Sequence, residues 1–242
     1  MFAAVLCAVF LAVTVHGQDS EFEKYKQENP MEFSGKYQGD IDISSSGAFR
    51  NALVGARLWY NNVVIYDDKQ MSPYGQDMIR RALNEITQST GGCIRFKRRT
   101  SANQQNFVNI FSGDGCYSQV GMVGGAQKMS LNEQGCVHSV GTIQHEFLHA
   151  LGFMHEQCRS DRDRYLRINW DNIQRNMAFN FDKANTNNQD SRYTYASIMH
   201  YGKFAFSANG RPTMVPVQAG AQIGTRKLHN VDIKRLKILY GC

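Results

Sequence analysis

A chain of 242 residues holds one well-buried core plus processed segments, which excludes a large multidomain assembly. The formal net charge of +6 is unevenly spread: 18–50 carries seven acids against four bases, a net of −3, so 51–242 carries +9 and an acidic leader precedes a basic body. Basic residues such as Arg80 and Arg81, Lys97 to Arg99, and Arg226 with Lys227 are scattered without interleaved aromatic residues, so no nucleic-acid partner is expected.

In chain order, MFAAVLCAVFLAVTVHG (1–17) has no charged side chain. Its apolar run of about a dozen residues falls short of the ~20 that a spanning helix needs. It reads as a secretory signal peptide, although it lacks the usual N-terminal Lys or Arg. No later segment is apolar enough to span, so no membrane association is expected. The leader, 18–50, is polar, includes SSSG at 44–47 and shows no amphipathic repeat, so it reads as poorly structured. Arg50 followed by Asn51 then offers an accessible site to a trypsin-like protease.

LWYNNVVIYD (58–67) is rich in aromatic and β-branched residues and predicts a strand. Ser72 and Pro73 start a helix with Met78, Ile79, Ala82, Leu83 and Ile86 at helical spacing, ending at Gly91 and Gly92. CIRFKRR (93–99) and NFVNIFSG (106–113) predict short strands. QVGMVGGAQKMSL (119–131) predicts a glycine-containing strand suited to a sheet edge, where an extended peptide can add. A helix is expected over 142–151, an irregular polar region after Gly152 with the loop ANTNNQD (184–190), and a last helix over 231–242. Strands and helices alternate without a regular βαβ rhythm, so the fold class is α+β. Removing the signal leaves Cys93, Cys116, Cys136, Cys158 and Cys242, an odd number in an oxidising compartment.

HEFLHALGFMH (145–155) concentrates three of the seven histidines. Residues four apart on a helix lie about 40° apart around its axis, so His145 and His149 point the same way and can share one metal ion. Glu146 is displaced from that face and can instead hold the attacking water. Gly152 stands where a left-handed residue ends the helix, and a side chain there costs roughly 1 kcal/mol. The resulting reversal lets His155 supply a third nitrogen. Three imidazoles plus water make an open, catalytic kind of zinc site.

HEFLHALGFMHEQCRSDRD resembles the signature of the astacin family within the metzincin zinc endopeptidases. SIMHY (197–201) is similar to that family's Met-turn, and INWDNI (168–173), Asn180 with Phe181, and the terminal LYGC follow its pattern. The resemblance covers essentially everything from Arg50 onward. It implies a zincin-like two-subdomain fold: an N-terminal mixed sheet with two long helices, then an irregular C-terminal half ending in a helix. It also implies one zinc ion on His145, His149 and His155, Glu146 as general base, Met199 as an apolar floor and Tyr201 as a further ligand that turns to the oxyanion.

YQGDI (37–41) resembles the FxGD segment of astacin propeptides, which makes Asp40 the candidate inhibitory ligand of a zymogen. By the same resemblance, cleavage after Arg50 frees an ammonium on Asn51 that settles near Glu156, an acid whose unpaired burial would be costly. Cys93 is expected to pair with Cys242, and Cys116 with Cys136. Cys158 departs from the family pattern and reads either as a buried free thiol or as a link between chains. Tyr193 to Tyr195, where the family often has an acid in the middle, leaves local hydrogen bonding open.

These readings divide the chain into signal 1–17, inhibitory propeptide 18–50 and catalytic domain 51–242. The expected protein is a secreted, monomeric zinc endopeptidase acting on polypeptides. One rival is a secreted zinc-binding module without catalysis, against which Glu146 and the latency segment count. The other is a matrixin-like enzyme, against which the absence of cysteine from 18–50 counts.

Overall fold

The computed structural model describes residues 20–43, 57–184 and 186–242. The expected signal peptide 1–17, the SSSG stretch, Arg50 and Asn51 lie outside the described residues.

Where described, the leader is ordered, contrary to the expectation from its polarity. Residues 20–28 form a helix, α1, and Pro30–Phe33 a 3₁₀ turn. Its order comes from tertiary anchors rather than from local propensity: Met31, Ile41, Glu32, Gln38 and Asp40 are fully buried against the body. Phe22 and Tyr25 set their rings edge-on against Phe204.

The body opens with β1 (Val63–Asp67), preceded by a 3₁₀ turn over Tyr60–Asn62 that shortens the predicted strand. Ser72 caps α2 (Pro73–Ser89) by accepting from Gly75 N at 3.1 Å, and Pro73 occupies the first turn, where a missing N–H has no consequence. Ile79, Ala82, Leu83 and Ile86 form the helix's buried stripe. β2 (Arg95–Arg98), β3 (Phe107–Phe111), β4 (Cys116–Ser118) and β5 (Ala126–Leu131) complete a sheet in the order β2-β1-β3-β5-β4. All pairings are parallel except β4 with β5.

The predicted strand over 119–131 is thus β5 alone, and it lies inside the sheet. The edge near the cleft is β4, whose three residues are too few to show an alternating pattern. The leader already occupies that edge: Asp42 N donates to Ser118 O and Ser118 N to Asp40 O, both at 2.9 Å.

α3 (Val140–Ala150), capped by Ser139 at Thr142 N, is buried from Gly141 to its end. Phe147 meets Tyr66 and Phe96 edge-to-face, fixing the helix against the sheet and α2. Gly141 is required here, because a Cβ would stand 1.9 Å from the Arg226 carbonyl oxygen.

Beyond Gly152 the chain runs through 3₁₀ turns and the pair β6 (Leu166–Ile168) and β7 (Met214–Pro216). A second apolar cluster forms there from Leu166, Ile173, Phe181, Tyr193, Tyr201, Phe206 and Met214. α4 (Asn230–Tyr240) returns to the first cluster through Leu236 and Tyr240. Disulfides join Cys93 to Cys242 and Cys116 to Cys136, while Cys158 is free and buried. The fold is α+β, with Met199 in the first cluster and Tyr201 in the second, so the Met-turn sits on the seam. Among the described residues no helix is long and apolar enough to cross a membrane.

Candidate metal centre

α3 delivers His145 and His149 one turn apart, with ring centroids 4.8 Å from each other. The helix then stops at Gly152, whose φ of +105° lets Phe153 N reach Leu148 O at 3.0 Å and sends the chain back. His155 arrives on the returning segment, its ring 4.7 Å from that of His149 and 5.3 Å from that of His145. All three rings are buried.

Each imidazole is oriented from behind by an oxygen that can only accept. His145 Nδ1 faces Ile198 O at 2.8 Å, His149 Nδ1 faces Phe153 O at 2.8 Å, and His155 Nδ1 faces Gln38 Oε1 at 3.0 Å. The hydrogens therefore sit on Nδ1, and all three Nε2 lone pairs point inward. Burial pushes His145 down and His155 down to about 3, so these two rings are neutral at physiological pH.

The Asp40 carboxylate occupies the space they enclose. Its Oδ2 is 3.0 Å from His145 Nε2, and its Oδ1 is 3.4 Å from His149 Nε2 and 3.1 Å from His155 Nε2. One donor atom from each of these four buried residues lies within 4.8 Å of the others. Acceptors brought together this closely repel unless a cation lies among them, and Asp40 Oδ1 and His149 Nε2 have no hydrogen-bond partner among the described residues. Three imidazole nitrogens and one carboxylate oxygen are the donor types zinc takes, in the number a tetrahedral site needs. The residues present fit a zinc ion.

Glu146 is fully buried, and both its carboxylate oxygens lack hydrogen-bond partners among the described residues. Burial first, and the Asp40 charge second, push its carboxyl well above the usual range. Tyr201 sets its ring 4.5 Å from that of His155, tilted by 49°, and donates its hydroxyl to Gln38 O. Burial, then the Asp40 charge, raises the phenol well above its ordinary value, which keeps it a donor.

The Met-turn acts largely through its backbone. Ile198 O orients His145, Met199 O accepts from Glu156 N at 2.9 Å, and the Met199 side chain is buried in the first cluster. Asp232 of α4 fixes the turn by accepting from Ser197 Oγ at 2.6 Å and Ile198 N at 3.0 Å.

Glu156 is buried but not unpaired: Arg235 grips it bidentately at 2.6 and 3.0 Å, Arg159 approaches at 3.3 Å, and Thr194 N donates at 2.9 Å. In the leader-bound chain its charge is already compensated. Thr194, in the place where an acid is common, contributes a backbone donor, while Tyr193 OH meets His200 Nε2 at 2.6 Å and Tyr195 OH donates to Tyr165 O at 2.7 Å.

Several functional contacts escaped sequence reasoning. Glu32 is fully buried and accepts from Arg226 at 2.5 Å, from Gly202 N at 3.0 Å and from the Tyr25 hydroxyl, pinning the leader across the cleft. Gln38 and Asn180 meet at 2.8 Å, and Arg235 and Asp232 reach the site from α4. Only Asn180 carried a signal, through its place in a family-like pattern. Apart from Tyr25, seven residues from Glu32, the site partners of the others lie 34 to 194 residues away.

The chain matches Astacin (Peptidase family M12A) over residues 53–241. It is 52% identical over 153 residues to High choriolytic enzyme 1 of Oryzias latipes, covering 62% of this chain and 56% of that protein. It is 39% identical over 220 residues to Zinc metalloproteinase nas-4 of Caenorhabditis elegans, covering 85% of this chain and 69% of that one. The chain thus spans little more than half the length of the choriolytic relative. In structure it is similar to High choriolytic enzyme 1, described as a hatching enzyme zinc-protease, with TM-score 0.71 and 41% identity over 84% of this chain and 99% of that one.

Proposed function

Because the chain belongs to the astacin family of peptidases, we propose that it is a secreted zinc endopeptidase made as a latent precursor, with 18–50 as propeptide and 51–242 as catalytic domain. The observation that carries this reading is the convergence of three imidazoles and the Asp40 carboxylate on one point, beside a Glu146 carboxyl that has no hydrogen-bond partner among the described residues. His145, His149 and His155 hold the zinc, and Asp40 is a fourth ligand in the precursor only. Zinc bound there supplies Lewis acidity toward the scissile carbonyl and toward water.

The chain's own groups do the rest. Glu146 takes the proton from the attacking water on a carboxylate oxygen and delivers it to the leaving amine. A burial-raised pKa suits that base, since it strengthens proton uptake. Tyr201, held as a phenol, donates its hydroxyl to the oxygen that gains charge. The β4 edge, where the leader makes backbone bonds through Ser118, is the surface on which a polypeptide substrate extends once the leader has gone.

Latency rests on Asp40 filling the substrate's place at the metal, and on Gln38 O engaging the Tyr201 hydroxyl. Cleavage after Arg50 by a trypsin-like protease releases the leader and frees the Asn51 ammonium. That ammonium settles near Glu156 by joining or displacing Arg235 and Arg159. The test is peptidase activity of the intact chain: Asp40→Ala is active without cleavage, and Asp40→Ala with Glu146→Gln is not. A silent Asp40→Ala protein that still binds zinc contradicts the latency assignment.

A further inference from the structure

Two of the three imidazoles are oriented by the body itself, through Ile198 O and Phe153 O. The third is oriented by the leader: the Nδ1–H of His155 donates to Gln38 Oε1 at 3.0 Å. Gln38 is fully buried and adopts φ +46°, a left-handed conformation uncommon outside glycine. Three further groups hold it there. Its N–H donates to Asn180 Oδ1 at 2.8 Å, its carbonyl accepts the Tyr201 hydroxyl, and Gly39 follows with φ +81° and room for a Cβ only 3.1 Å from Glu32 Cα. The backbone is thereby locked so that the side-chain amide meets one imidazole.

We propose that Gln38 is a positioning residue of the metal centre, so that the leader completes the site as well as blocking it. This rests on the reading of His155 as a zinc ligand. A ligating histidine whose outer N–H lacks an acceptor rotates more freely and is a weaker base, and loss of such a partner typically costs about 10–100-fold in metal affinity. Asp40 acts as a ligand; Gln38 acts through His155.

The bonds made by the Gln38 backbone do not involve its side chain, so the side chain can be tested alone. Gln38→Met keeps the length and removes the acceptor; Gln38→Glu keeps an acceptor of the same reach. The measurement is zinc affinity of the intact, uncleaved chain by competition with a chelator, with far- and near-ultraviolet circular dichroism to check folding. Gln38→Met is expected to bind zinc about 10-fold or more weakly, with Gln38→Glu at or above the wild-type value. Wild-type affinity in Gln38→Met, or equal losses in both variants, overturns the role of Gln38. His155→Ala separates the two levels: if it leaves zinc affinity unchanged, the reading of His155 as a ligand falls, whereas a large loss there beside an unaffected Gln38→Met removes only Gln38.

Discussion

At the scale of single residues, chemistry and packing are assigned by what each buried polar atom lacks. Glu146 is a buried acid without hydrogen-bond partners among the described residues, and its replacement by Gln keeps the shape while removing the base. The Asp40→Ala, Glu146→Gln protein is expected to fall about 10²–10⁴-fold below Asp40→Ala in peptide hydrolysis, with zinc content unchanged. A parallel loss of zinc would show that Glu146 acts on the metal instead. Cys158 is the opposite case: burial raises its thiol to about 12, and its Sγ lies 3.7 Å from Asn180 O. An ordinary thiol becomes markedly more thiolate between pH 7 and 9, whereas this one stays protonated. Alkylation of the native protein should therefore stay slow across that range and become fast only on unfolding, which also argues against a link between chains. The histidine spacing, Gly152 and the Met-turn were legible in the sequence because their partners lie within one or two turns or in a short local motif. Gln38, Glu32 and Arg235 were not, because a lone polar residue shows nothing of a partner more than 75 positions away.

At the scale of elements, the site depends on two close approaches. The start of α3 lies against the backbone at Arg226, and a Cβ at Gly141 has no space to enter. Gly141→Ala is expected to lower stability by about 1–3 kcal/mol, measured by thermal or denaturant unfolding. An unchanged midpoint would mean that the contact yields easily. From α4, Asp232 accepts from Ser197 and Ile198 and forms a reciprocal cap with His229. Asp232→Ala leaves buried donors unsatisfied, at about 1–3 kcal/mol each, and loosens the carbonyl that orients His145. Lower stability with weaker zinc binding is expected; a stability loss with zinc affinity intact would confine Asp232 to a structural role. The long helices were foreseen to within a few residues because their capping and apolar spacing are local. β4 was missed because three residues cannot establish a period, and β5 was misplaced to an edge because its glycine-rich approach, 121–125, suggested one. The leader's order was missed for a related reason: its few apolar residues are used against the body, not against one another.

At the scale of the whole molecule, the leader and body are joined by buried contacts. The acidic leader and basic body foretold attraction; among the described residues it takes the form of one buried pair, Glu32 with Arg226, one exposed pair, Glu21 with Lys203, and the Asp40 contact with the histidines. Breaking a buried pair by removing one partner costs about 3–5 kcal/mol. Glu32→Ala should therefore leave the leader more susceptible to limited proteolysis and raise the activity of uncleaved protein; unchanged protection would place the anchorage elsewhere. The central claim is that one metal ion is held by three imidazoles, two from α3 and one from beyond Gly152. The most direct test is zinc K-edge X-ray absorption on the intact, zinc-loaded chain. The expected spectrum has nitrogen and oxygen neighbours at about 2.0–2.1 Å, multiple scattering from three imidazoles in both the intact chain and Asp40→Ala, and no sulfur. A sulfur shell near 2.3 Å, or fewer than three imidazoles, would contradict it.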